Sequence, residues 1–524
     1  MRKMYGIALA LCFYLPQQLQ AQEEKVDLAT IEKIKQEGLQ HSQVMDIAFH
    51  LTDVSGARLT ASPGFNRAGN YAVQQLTQWG LTDAKLDPWG EFGKGWELQK
   101  SYVALTAPYY RPLIAYPKAW CSGTNGAVNA QVILVTAKDS TELLQYKGKL
   151  AGKIIITERA DTVKLGFKAD GSRYTDEQLA KMAGAKLEPT DTAAMRRRRE
   201  MFMRGNGAMR TLTLLKEMAR AEGAAAILSS GAKNQDGTLF TQGGGGYKAT
   251  DPENFTDVML GAEDYNTILR LVKAGMPVKL DMDIQTKFHT ADTKGYNVIA
   301  EIKGTDPKLK DEVVMLGGHL DSWHTATGAT DNAAGCAVMM EALRILKTLG
   351  VHPRRTIRIG LWSGEEEGLL GSRGYVKKTF ADPANMQLLP AHEKFSSYFN
   401  IDNGTGKIRG IYLQGNEACG PIFTKWLEPF HDLGATTVTV GNTGGTDHQS
   451  FDAVGLPGFQ FIQDPMEYDA RTHHSNMDSY DHLSPDDMKQ IATIVAGFVY
   501  NAAQRDAKLP RKELPKPRPA GGMF

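Results

Sequence analysis

At 524 residues the chain is too long for one compact core, so two or more domains are expected. Hydrophobic residues at 42% and charged residues at 23% are ordinary for a globular protein, and a net charge of +1 lays no electrostatic footprint for nucleic acid. Past the leader only Cys121, Cys336 and Cys419 remain, too few and too scattered for a disulfide framework or a zinc–thiolate site.

Residues 1–21 read as a signal peptide: Arg2 and Lys3, an apolar run from Ile7 to Leu15, and the small residue Ala21 before a cut that leaves Gln22. The run is too short to cross a bilayer, and Cys12 inside it argues against a lipid anchor. This implies an exported chain, periplasmic or extracellular, with no membrane span. Residues 27–51 carry an irregular apolar stripe (Ile31, Ile34, Leu39, Val44) that predicts a helix, and a second helix is predicted over 66–79, stopped by Gly80. Residues 54–59 form the loop between them. From 130 to 290 short β-rich runs alternate with turns, as at Ala130–Val135, Lys153–Thr157, Ala224–Ser229, Val258–Gly261 and Val278–Met282. This reads as a separate β-rich domain with helices at 209–220 and 262–274. Within it, 161–204 is a polar surface insertion, and Arg196–Arg199 is a solvated helix face or a patch for an anionic partner. From 291 to 507 buried strands (Val313–Leu316, Ile357–Trp362, Tyr398–Ile401) alternate with helical patterns at 333–349, 421–433 and 485–503. The last helix carries Ser484 as N-cap, Pro485 at its first position and Asp487 as capping-box acid. The alternation predicts an α/β fold: a mixed, mostly parallel sheet flanked by helices, with residues 22–129 packed on it and the β-rich region inserted. The Pro- and Lys-rich tail 508–524 is expected to be disordered.

Five residues of metal-ligand type stand in turns at the ends of predicted strands: His319, Asp331, Glu366, Asp402 and His474. Two imidazoles and three carboxylates match two zinc-like ions sharing one bridging carboxylate. Such a donor set suits zinc, cobalt or manganese better than calcium or magnesium. Ligands of open α/β sheets sit where these turns lie, at the C-terminal ends of strands. Asp321, two residues past His319, is placed to accept the other imidazole N–H. Asp331 lies in a Gly-Ala-Thr-Asp-Asn-Ala-Ala-Gly turn ahead of a helix, as a helix cap or as a bridging ligand. Three adjacent glutamates, Glu365, Glu366 and Glu367, end a buried strand, where like charges need a cation. Glu366 then binds metal and Glu365 is left as general base.

These segments resemble the di-zinc aminopeptidase family that includes carboxypeptidase Q and bacterial leucyl aminopeptidases, across nearly the whole chain beyond the leader. The Asp-Asn-Ala-Ala-Gly turn at 331–335 and the Glu-Glu-x-Gly-Leu-x-Gly-Ser turn at 365–372 are its specific motifs. The resemblance implies a zinc-exopeptidase fold whose β-rich insertion is a protease-associated domain. It implies that His319 and Asp402 bind one metal, that Glu366 and His474 bind the other, that Asp331 bridges, and that Glu365 is the acid/base. His474 is preferred to His473 because His474-Ser475-x-x-Asp478 matches the family pattern. Where some relatives carry an oxyanion-stabilising tyrosine this chain has Thr443, so the stabilisation is expected from the metals or another donor, with His448 as the candidate. The expected activity is hydrolysis of the N-terminal bond of peptides or dipeptides with a free α-amine. A single-zinc glutaminyl cyclase and a non-catalytic receptor on the same scaffold are the alternatives. The insertion either restricts the cleft or mediates homodimerisation.

Overall fold

The computed structural model describes residues 24–158, 163–187, 197, 209–231 and 233–517. The predicted leader and most of the Arg196–Arg199 run lie outside them, and Arg197 is exposed. Two eight-stranded sheets organise the chain. The first runs, in spatial order, Thr82–Glu91, Lys294–Ile302, Thr356–Trp362, Val313–His319, Phe395–Asn400, Gly458–Gln463, Ile408–Tyr412 and Thr437–Thr439. Its four central strands, from Thr356–Trp362 to Gly458–Gln463, are mutually parallel, and antiparallel pairs lie to either side. The mixed α/β reading holds.

Alternation along the buried strands explains the two helical layers. Val314 and Leu316 join the core with the helices Leu28–Gln40, Val44–Phe49, Pro63–Gln78, Ala334–Thr348 and Pro485–Gln504. Val313 and Met315 point the other way, towards Leu370–Thr379 and His448–Asp452. The helix expected over 27–51 is broken at residues 41–43 and ends in a π-turn, His50–Val54. The helix expected from 66 starts earlier: Ser62 accepts from Phe65 N at 3.2 Å, and Pro63 takes the first turn, where its missing N–H costs nothing.

The second sheet holds the five predicted β-rich runs but also Gly95–Ala107, Arg111–Pro112 and Ala115–Pro117. Those three strands lie in the stretch the sequence assigned to the N-terminal part of the peptidase domain. Gly95–Ala107 pairs along its length with Lys279–His289, the strand that leaves the insertion, so entry and exit form one ribbon. Two other expectations fail. Asp487 makes no capping box; its carboxylate pairs with Arg173 at 2.8 Å, and Ser484 makes no side-chain cap bond. The tail is ordered to residue 517: Leu509 is buried, the Arg511 guanidinium donates to the carbonyls of His392 and Phe395 at 2.7 Å, and Lys512 pairs with Asp452 at 2.5 Å. One apolar anchor and two cations that find carbonyls and a carboxylate outweigh the tail's composition. No described helix is long and apolar enough to cross a membrane.

Candidate metal centre

Because the central strands are parallel, their C-terminal ends lie side by side, and the predicted turns meet there. His319 is the last residue of its strand, the triple glutamate follows Trp362, and Asp402 follows Asn400. His319 Nε2 lies 3.2 Å from both Asp331 Oδ1 and Asp402 Oδ1. His474 Nε2 lies 3.2 Å from Asp331 Oδ2 and 2.9 Å from Glu366 Oε2. Asp331 therefore presents one oxygen to each histidine. Donor atoms of His319, Glu365 and Asp402, and of His319, Asp331 and Glu366, lie within 4.8 Å of one another. His473 joins Asp331 and His474 in a third such group, although its Nε2 is 4.0 Å from Asp331.

The electrostatics fit cations. Burial works to lower both imidazoles, yet Asp402 and Glu365 hold His319 well above the ordinary value, and Glu366 and Asp331 lift His474 to about 10. Burial and Asp331 push Glu366 up to about 7, and burial raises Glu365 well above the carboxylate range. Asp331 Oδ2 and Glu366 Oε1 are buried with no hydrogen-bond partner. Buried acceptors left unpaired beside imidazole nitrogens are what a ligand set looks like when protons stand in for metal.

The turns are held from below. Asp478 accepts from Thr330 N at 2.6 Å, Thr330 Oγ1 at 2.8 Å and Asp331 N at 3.1 Å. Asp331 is no helix cap: Asn332 Oδ1 takes the Gly335 N–H at 3.0 Å instead. A Cβ on Gly335 would sit 2.2 Å from Asn332 Oδ1 and 2.5 Å from Ile401 O, so only glycine lets this helix approach. Asp321 serves differently from expectation. His319 Nδ1 donates to the Asp321 backbone carbonyl at 3.0 Å, while the carboxylate, 3.7 Å away, accepts from Glu365 N and Glu366 N at 3.3 Å. The turn after His319 brings the carbonyl back under the ring and frees the side chain to orient the glutamates. Thr60 completes that shelf, donating to Glu367 at 2.9 Å and accepting from Gly364 N at 2.9 Å.

His448 is not where an oxyanion donor belongs. It opens the helix His448–Asp452 fully buried, with Nε2 3.1 Å from Thr443 O and 3.0 Å from the Gln414 amide, and it does not line the cavity over the metal residues. Burial pushes it down to about 4, so it is neutral. The cavity, about 440 Å³, is lined by Glu365, Glu366, Asp402 and, among residues that the sequence did not single out, Arg373, Tyr468 and Gln242. Tyr468 sits in a π-turn, Tyr468–Thr472, and its ring packs over Gly404, where a side chain would collide. Gln242 comes from the β-rich insertion and reaches His474 Nδ1 at 3.0 Å. Neither is an imidazole or a carboxylate, the residue types that singled out the other five.

Residues 297–499, the segment holding every one of these strand ends, match the model of peptidase family M28. That segment is a peptidase M28 domain. The chain is a metallo-exopeptidase. Carboxypeptidase Q of Mus musculus is 26% identical over 466 residues, which covers 88% of this chain and 86% of that protein. Among solved structures, a peptidase M28 precursor from Shewanella amazonensis SB2B superposes with a TM-score of 0.65 at 24% identity, covering 93% of this chain and 99% of that one. BSAP, a zinc aminopeptidase from Bacillus subtilis, gives a TM-score of 0.53 at 19% identity over 89% of this chain and 96% of its own.

Proposed function

We propose that this protein is an exported two-zinc exopeptidase that releases the N-terminal residue of peptides or dipeptides carrying a free α-amine. The observation that carries the reading is Asp331, one oxygen of which faces His319 and the other His474 at 3.2 Å, with Asp402 beside the first histidine and Glu366 beside the second. That is a bridging carboxylate between two half-sites. When bound there, zinc supplies Lewis acidity to the substrate carbonyl and acidifies water at neutral pH.

The chain's own groups do the rest. Glu365 lines the cavity beside the ligands without belonging to the bridged set, so it takes the proton of the attacking water and returns it to the leaving amine. The Tyr468 hydroxyl is the donor for the developing oxyanion, the place the sequence had assigned to His448. The substrate's free α-amine would be held at the same centre, which restricts cleavage to the first bond. The β-rich insertion is read as a protease-associated domain that walls the cleft through Gln242. Export rests on the leader-like residues 1–21.

The test is metal content of the purified protein by elemental mass spectrometry, with hydrolysis of aminoacyl-anilides and dipeptides measured with and without chelator. About two zinc ions per chain and chelator-sensitive release of the N-terminal residue support the reading. Glu365→Gln should keep its metal and lose about 10²–10⁴ in turnover. Near-wild-type turnover in that variant would refute the assignment of the base.

A further inference from the structure

We infer that Gln242 is a positioning residue for His474: its side-chain amide holds the imidazole so that Nε2 is the nitrogen turned to the metal, which makes the inserted domain part of the metal centre. This rests on the two-zinc reading above.

The backbone brings the two together. Thr241 N donates to His474 O at 3.1 Å, Phe240 and Ser475 form a β-bridge, and the Asn476 side chain accepts from Leu239 N at 2.6 Å and donates to Gly237 O at 3.0 Å. A stretch of the insertion is thus zipped along the His474 turn, which has to be held because His474 sits at φ +58°, a strained backbone for a non-glycine residue. The rings of His473, Phe240 and Trp323 pack against it, with centroids at 3.7, 5.6 and 6.1 Å. The Gln242 amide stands 3.0 Å from Nδ1 and, among the described residues, makes no other side-chain hydrogen bond.

The chemistry then assigns the role. With Nε2 given to a metal, the only imidazole proton is on Nδ1 and needs an acceptor. A half-turn of the Gln242 amide puts Oε1 there and breaks no other bond. Carbonyl and carboxylate partners of this kind orient metal-bound histidines and raise their basicity; removing them costs about 10–100-fold in metal affinity. His319 needs no such help, because the Asp321 carbonyl already takes its Nδ1 proton. The two half-sites therefore differ: one is oriented from within its own strand end, the other from the inserted domain.

The experiment titrates Zn²⁺ into metal-stripped full-length chain against a chromophoric competing chelator, for wild type, Gln242→Leu and Gln242→Glu. Gln242→Leu should bind one of its two ions about 10–100-fold more weakly and the other as wild type does. Gln242→Glu, which keeps an acceptor at Nδ1, should restore both. Two ions bound with wild-type affinity by Gln242→Leu would overturn the inference while leaving the two-zinc reading intact. Equal weakening in Gln242→Leu and Gln242→Glu would also overturn it, because the residue then acts only by packing. A wild-type chain that takes up no zinc would bring down both.

Discussion

Asp478 makes the sharpest demand on the architecture. Its carboxylate accepts three hydrogen bonds from the turn that carries Asp331. In Asp478→Ala the Thr330 hydroxyl still has Thr472 at 2.8 Å, but the N–H groups of Thr330 and Asp331 lose their only acceptor in a buried site. Each stranded donor costs about 1–3 kcal/mol, so about 2–6 kcal/mol is at stake. Part of that is offset: burial and the neighbouring Asp331 push Asp478 up to about 7, and the substitution removes this repulsion. The expected net loss is about 2–4 kcal/mol, read as the shift in urea midpoint at constant slope for metal-stripped protein. Asp478→Asn separates stability from metal binding. Its oxygen still serves Thr330, while its NH₂ meets the Asp331 N–H donor to donor, so Asp331 alone is released. That variant should lose less stability than Asp478→Ala but still bind zinc more weakly than wild type. A urea midpoint for Asp478→Ala within about 0.5 kcal/mol of wild type would refute the reasoning, since no buried donor would then have been stranded.

Tyr468→Phe, which removes the hydroxyl and keeps the ring over Gly404, should reduce kcat about 10²–10³-fold with little change in KM; an unchanged kcat would exclude Tyr468 as the oxyanion donor. Gly335→Ala forces a methyl against a capping side chain and a backbone carbonyl that cannot yield, so a loss of about 3 kcal/mol in chemical denaturation is expected, and a neutral result would contradict the close approach. His324 is buried between the sheets, donates from Nε2 to Pro117 O at 2.7 Å, and is pushed by burial from 6.5 down to about 4. Its folded value lies below its unfolded one, so its contribution is whole above pH 6.5 and drains away as pH falls towards 4, by up to about 3 kcal/mol. His324→Gln should flatten stability over that interval; identical acid slopes for variant and wild type would show that His324 is not the titrating group.

Much of the catalytic half was legible in the residues. Val313–Leu316, Ile357–Trp362 and Tyr398–Ile401 read as buried strands because both faces are apolar, and each falls on a strand of the first sheet, with Ile401 just past the end of its own. The strands of the second sheet before residue 130 were hidden. Gly95–Ala107 alternates buried and exposed positions only in part and is stabilised by pairing with Lys279–His289, far along the chain. Asp321 was chosen for its spacing from His319, and His448 as a stand-in for the tyrosine that Thr443 replaces. Neither argument could tell that the Asp321 carbonyl would reach Nδ1 before its carboxylate did, or that His448 would begin a buried helix with Nε2 turned to Thr443.

By itself the sequence determined which chemistry was available and roughly where along the backbone: donors at strand ends, glycines where a helix crowds the sheet, three glutamates that only a cation or a proton could reconcile. These are local properties, dictated by residue type and by periodicity over a few positions. The tertiary structure decided direction and partnership. It gave the two oxygens of Asp331 to different histidines, brought Tyr468 to the cavity wall while leaving His448 out of it, and set Gln242 against a histidine 232 residues away. Where a side chain points depends on the packing of segments remote in sequence, and no local pattern records that.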